Sequence, residues 1–135
     1  MDVAVLDTTI TSILFEKKPA TALYAPHLTG KSLTICFQTV AEMRYGALKA
    51  GWGTHRAAAL ETFLSTFYLV PYSDQLAHSW AEVMLDAQRI GRRLEAGDAW
   101  IAATARRLSA PLFTDDKDLS PEACPSITIY RFRTP

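Results

Sequence analysis

The sequence is poor in cysteine and carries no excess charge of either sign. Its two cysteines, Cys36 in an apolar run and Cys124 before a proline, make no disulfide framework and fit a reducing compartment. Lys plus Arg and Asp plus Glu number 14 each, so the formal net charge is zero. No global positive field draws the chain to nucleic acid, and such binding needs a local patch. No apolar run approaches the ~18 residues of a membrane helix, so a membrane is not an expected partner. The N-terminus opens on a strand-like segment, without the basic region or cleavage pattern of a signal peptide, and the cytoplasm is the expected compartment. The three histidines, His27, His55 and His78, are scattered without ligand spacing, which disfavours zinc and gives no support to a Ser-His-Asp triad. Internal repeats, low-complexity tracts and linkers are absent.

What is present is ordinary for a globular protein: 49% hydrophobic and 21% charged residues over 135 positions. That length is enough for one domain with its own core, expected to span residues 1–135. Val3–Leu6 is an all-apolar run ending in Asp7-Thr8-Thr9, as in a strand covered on both faces. Thr8 or Thr9 can cap a helix through Ile13–Phe15, closed at Glu16–Pro19. A helix through Ala22–Leu28 conflicts with Pro26 in its interior. Leu33–Phe37 is the next strand, and Gln38–Lys49 a helix closed by Gly51. Thr54 can cap His55–Phe67, which precedes the strand Tyr68–Val70. Ser73 caps a long helix to Ile90, with Leu76, Trp80, Val83, Ala87 and Ile90 on one face. Ile127–Tyr130 forms the last strand, and Arg131–Pro135 a frayed tail. This alternation predicts an α/β fold: a mainly parallel, short-stranded central sheet flanked by helices on both sides.

The stretch Gly97–Leu119 organises the rest. Asp98 sits just inside a helix start and shares its inward face with Ile101, Ala102 and Ala105. The strand Leu112-Phe113 then runs into Thr114, Asp115 and Asp116. In a parallel sheet, helix starts and strand ends meet at one edge. Asp7, at the end of the first strand, and Glu42, in the first turn of the helix after the second, reach the same edge. Each acid has a plainer explanation. Asp7 caps a helix, Glu42 closes a Thr39–Glu42 capping box, Asp98 answers the helix dipole, and Asp115 and Asp116 are turn acids. Asp98 resists its plainer explanation, because an unpartnered carboxylate on an inward face costs several kcal/mol.

Carboxylates from four segments at one edge repel and call for a cation. Oxygen-only ligands suit Mg²⁺, with Mn²⁺ as a substitute. Such ions serve phosphoryl chemistry. An aspartyl phosphatase needs a second Asp after the first strand, and here Thr9 stands in its place. A nuclease needs only the carboxylates and a water.

The segments VLDTT, TVAEMRYGAL, GDAWIAATA and LFTDDKDL resemble, in order and spacing, the four acidic motifs of PIN-domain ribonucleases, most closely the VapC toxins of toxin–antitoxin pairs. The resemblance covers essentially the whole chain. It implies a PIN-like fold and metal-dependent endonucleolytic cleavage of RNA, of tRNA or another structured RNA, that inhibits translation. It assigns Asp7, Glu42, Asp98 and Asp116 as catalytic and metal-binding residues. Asp116 is preferred over Asp115 because it stands two residues after Thr114; Asp115 or Asp118 can share the role. The implied partners are the RNA substrate, a VapB-like antitoxin and a second copy in a homodimer. Thr9 and the Glu95-Ala96-Gly97 run depart from the family's usual neighbours of the site and bear on substrate positioning. Arg44, Lys49, Arg92, Arg93 and Lys117 are candidates for RNA contact, and Tyr45, Leu48 and an exposed Trp52 for the antitoxin arm. The alternatives are an RNA-processing nuclease without a toxin role and a non-catalytic binding module.

Overall fold

The structure, a computed structural model, describes residues 2–133. The chain runs β1 (Val3–Leu6), α1 (Thr8–Glu16), α2 (Thr21–Leu28), β2 (Ser32–Cys36), α3 (Phe37–Lys49), α4 (Thr54–Leu64), β3 (Tyr68–Val70), α5 (Asp74–Arg89), α6 (Ala96–Leu108), β4 (Leu112–Phe113) and β5 (Ile129–Tyr130). The sheet order is β3-β2-β1-β4-β5, and every neighbouring pair is parallel. Central β1 aligns Leu6 with Ile35 of β2 on one side and with Phe113 of β4 on the other. All strand ends therefore face one edge, which receives Asp7 after β1 and Thr114 after β4.

The short strands are apolar throughout because both faces are covered. Val5, Cys36 and Leu112 point into a core shared with α5 and α6. Their strand neighbours Leu6, Ile35 and Phe113 point into a second core with α1 to α4. This is the expected two-sided parallel sheet. On α6 the inward face of Ile101, Ala102 and Ala105 is fully buried. No helix among the described residues is long and apolar enough to cross a membrane.

Several boundaries differ from those the sequence suggests, each for a local reason. α3 starts at Phe37 because Cys36 is its N-cap, its sulfur accepting from the Gln38 amide at 3.4 Å. α4 starts at Thr54 on an uncapped Gly53 and stops at Leu64. α2 keeps Pro26 inside it. That helix is eight residues long, entered through tight turns from Pro19 and Ala20, and anchored by buried Tyr24 and Leu28, so one missing amide is tolerated. β5 covers only Ile129–Tyr130, and Ile127 is buried before the ladder begins.

The expected frayed tail is replaced, as far as Arg133, by a docked segment. Arg131 Nε donates to the Asp115 carbonyl at 3.2 Å, and Arg133 pairs with the Asp115 carboxylate at 3.0 Å. Phe132 stacks on His27 at 4.0 Å and leans on Tyr24 at 5.4 Å. An Arg-Phe-Arg alternation sends its ring to one side and its cations to the other, and both sides find partners. Thr134 and Pro135 lie outside the described residues.

Candidate active site

Asp7 is the N-cap of α1, so its plainer explanation holds, but capping uses only part of the side chain. Its Oδ1 accepts from the Ile10 amide at 2.9 Å and from the Thr9 hydroxyl at 2.7 Å. Its Oδ2 accepts from the Thr114 hydroxyl. Each of these hydroxyls also accepts a bond of its own. Thr9 accepts from the Asp115 amide and Thr114 from the Asp116 amide, both at 2.9 Å. One buried carboxylate thus holds the start of α1 and, through two threonines, the loop after β4. Burial raises the Asp7 pKa from 3.8 to about 6. The hydrogen bonds from Thr114, Thr9 and the Ile10 amide oppose that rise, and the negative charge of Asp116 adds to it.

Glu42 is not the end of a capping box. With α3 beginning at Phe37, Thr39 lies inside the helix and cannot cap it. The Glu42 carboxylate instead accepts from the Thr8 hydroxyl, which also lies 3.2 Å from that of Thr39. The start of α6 packs closely against this face of α3. A Cβ on Gly97 would stand 2.8 Å from Gln38 Nε2 and 3.3 Å from Glu42 Oε1, so a bare backbone is what lets the two helices approach here.

Asp98 follows in the first turn of α6. Its pKa rises from 3.8 to about 7, first from desolvation and then from the charges of Asp116, Glu42, Asp7 and Asp118. The candidate acids therefore act on one another's charge at one sheet edge. None of Asp7, Glu42, Asp98 and Asp116 forms an ion pair with Lys, Arg or His among the described residues.

Asp115 and Asp116 have different surroundings. Asp115 accepts from the Tyr24 hydroxyl at 2.8 Å and pairs with Arg133, which occupies it in anchoring the tail. Asp116 carries the charge felt by Asp7 and Asp98, and its Oδ1 accepts from the Asp118 amide at 2.9 Å. Asp118 adds to the field at Asp98.

Among the described residues, no three His, Cys, Asp or Glu side chains form a ready cage for a metal ion. The donor set is oxygen only and carries a surplus of negative charge that no side-chain cation among them offsets. That chemistry fits Mg²⁺ or Mn²⁺, ions that keep several waters and need few direct carboxylate ligands.

The basic candidates fare unequally. Arg44 is held by Glu61 through two hydrogen bonds of 3.1 and 2.7 Å, so it serves as a surface ion pair. Arg93 pairs with Glu95 at 3.3 Å, Lys49 lies over the Tyr45 ring, and Arg92 and Lys117 are exposed. Tyr45 and Leu48 are largely exposed as expected. Trp52 is not a free platform: it stacks on Phe15 at 5.7 Å, with the Arg56 guanidinium 3.9 Å above its ring. The double role of Thr9 and the position of Gln38 escaped the sequence. The visible signal was a pair of hydroxyl residues directly after a strand-end acid.

The family model described as PIN domain matches residues 4–121, and the chain belongs to that family, in its VapC branch. Ribonuclease VapC5 of Mycobacterium tuberculosis is 34% identical over 96 residues, covering 69% of this chain and 71% of that protein. A solved member of the VapBC toxin–antitoxin family, VapBC-5 of the same organism, superposes with a TM-score of 0.71 at 28% identity, covering 97% of this chain and 99% of that one. VapBC2 of Rickettsia felis, solved bound to a DNA fragment from its promoter, shares the fold with a TM-score of 0.82 at 21% identity, covering 97% of this chain and 99% of that one.

Proposed function

We propose that this chain is a metal-dependent endoribonuclease, the toxin of a toxin–antitoxin pair, which hydrolyses phosphodiester bonds of tRNA or another structured RNA. The observation that carries the proposal is the unpaired charge at the sheet edge: Asp98 is pushed to about 7 by burial and by four neighbouring carboxylates. A protein that kept these acids only as caps and turns would not set Asp98 against the other three.

Asp7, Glu42, Asp98 and Asp116 are the residues that would hold Mg²⁺ or Mn²⁺, which supplies Lewis acidity and an activated water for phosphodiester hydrolysis. Thr9 and Thr114 fix both oxygens of Asp7 and so set the direction in which it presents charge. The Thr8 hydroxyl does the same for Glu42. One of the acids also orients the attacking water. The cluster repels an RNA backbone until its charge is offset, so RNA binding depends on the cation.

Relatives named as ribonucleases and neighbours solved as VapBC complexes support the reaction class and the kind of partner. The partner is a VapB-like antitoxin whose arm brings an Arg to the acids, since a guanidinium fork matches crowded carboxylates and takes the cation's place. The toxin itself is a homodimer.

The test is cleavage of total cellular RNA by purified protein with Mg²⁺, with Mn²⁺ and with EDTA, beside the Asp98→Asn variant. Discrete fragments that vanish with EDTA and with the variant are the expected result. Fragments that survive both would refute the acid-centred mechanism.

A further inference from the structure

Beside the acids lies an aromatic group that the nuclease chemistry does not use. Trp100, on the first turns of α6, meets Phe37 edge-on at 5.4 Å, Trp80 at 5.5 Å and Tyr72 at 6.1 Å. The Trp80 indole also donates to the Ala96 carbonyl at 3.1 Å, tying α5 to the start of α6. Packing accounts for three of these rings: Phe37, Trp80 and Trp100 are partly buried against the α5–α6 core. It does not account for Tyr72, which follows β3 and remains 61% exposed.

The position of Tyr72 is what gives it meaning. Because every strand pair is parallel, the loop after β3 opens at the same sheet edge as Asp7 and Asp116. The aromatic group is continuous with the acids through Gln38, which follows Phe37 in sequence and sits against Gly97 beside Glu42. An exposed ring at the sheet edge of a phosphodiester-cleaving site matches one need of single-stranded RNA, a flat face on which an unpaired base can stack.

We infer that Tyr72, set against Trp100, is a stacking subsite for one unpaired RNA base next to the scissile phosphate. The inference rests on the ribonuclease proposal and adds to it where the strand leaves the acids. A stacked base selects against continuous duplex at this point, so cleavage falls at loops, bulges or ends of structured RNA.

The test uses the Asp98→Asn protein, which lacks one repelling charge and is expected not to cleave, and a labelled single-stranded RNA oligonucleotide in Mg²⁺. Adding Tyr72→Ala weakens binding by about tenfold or more, while Tyr72→Phe, which keeps the stacking face, stays within about twofold. One abasic position in the oligonucleotide weakens binding to the parent but makes no further difference once Tyr72 is Ala. In the cleaving protein, Tyr72→Ala raises KM and leaves kcat in place. RNA affinity unchanged by Tyr72→Ala, in a protein that does cleave RNA, overturns the subsite and leaves the nuclease standing. Unchanged affinity together with lost co-purification of a protein partner assigns the ring to that partner instead. Failure of the wild type to cleave and of the Asp98→Asn protein to bind removes the ribonuclease proposal, and the subsite with it.

Discussion

Replacing Asp98 with Asn should make the protein more stable while it stops cutting RNA. The native carboxyl is half-buried among like charges, and its pKa stands near 7 instead of the ordinary 3.8. A group that holds its proton more tightly when folded favours folding at low pH. That contribution is complete below about pH 4 and is lost as pH rises through 7. Above that range the folded state carries an uncompensated charge. The full rise corresponds to at most ~4 kcal/mol, and screening at a partly exposed site reduces it to about 1–2 kcal/mol. Asparagine removes the charge at nearly the same size. Its melting temperature without metal should exceed the wild type's by roughly 3–8 °C at pH 8, and the difference should shrink toward pH 5. Mg²⁺ should raise the wild type more than the variant, and more at pH 8 than at pH 5.5, because protons compete with the ion for the same oxygens. Thermal melts at three pH values, with and without Mg²⁺, read all of this. A variant that melts below the wild type at pH 8, or that cleaves RNA normally, refutes the reasoning.

Other substitutions probe how the site is held together. Thr114→Val removes a donor to Asp7 and an acceptor for the Asp116 amide, so it should cost about 2–3 kcal/mol in denaturant unfolding and abolish cleavage. Retention of full activity would show that Asp7 does not need that hydroxyl. Tyr24→Phe leaves the Asp115 carboxylate and the Phe132 amide without a bonding partner at that hydroxyl, and should cost about 1–2 kcal/mol with little loss of activity. Activity lost without loss of stability would give Tyr24 a role beyond holding the tail. Gly97→Ala should fold, since the clashing atom is the mobile end of Gln38, yet lower activity severalfold by crowding Glu42. Unaltered kinetics would mean that this approach of α6 to α3 is not needed.

The architecture was legible because its signals are local and redundant. Val3–Leu6 and Leu112-Phe113 are apolar at consecutive positions, as a sheet covered on both sides requires, and both pair in parallel. The inward face of α6 could likewise be read from the spacing of Ile101, Ala102 and Ala105. What escaped depended on partners far apart in sequence. The docking of Arg131–Arg133 needs Asp115, Tyr24 and His27 together, and no pattern within the tail announces them. Trp52 looked free between two glycines, but Phe15 and Arg56 close on its ring from other helices. Only the plainer explanation of Glu42, the capping box, fails, because the helix starts earlier and Cys36 caps it in place of Thr39.

The acids also show how folding and chemistry share residues here. Asp7 caps α1 and, through Thr9 and Thr114, positions the amides of Asp115 and Asp116. The helix start, the strand end and the fourth acid are thus tied together by one carboxylate. Burying Asp7 is unfavourable, as its raised pKa records, and three hydrogen bonds only partly offset it. At Asp98 no side-chain hydrogen bond among the described residues offsets the rise, and the neighbouring charges are of its own sign. The two acids therefore divide the work. Asp7 is fixed in direction by neutral donors, whereas Asp98 is where a cation, if the proposed metal binds, would offset the most repulsion. A protein with no net charge can in this way concentrate negative potential at one edge, and under the proposed mechanism a divalent cation would offset it.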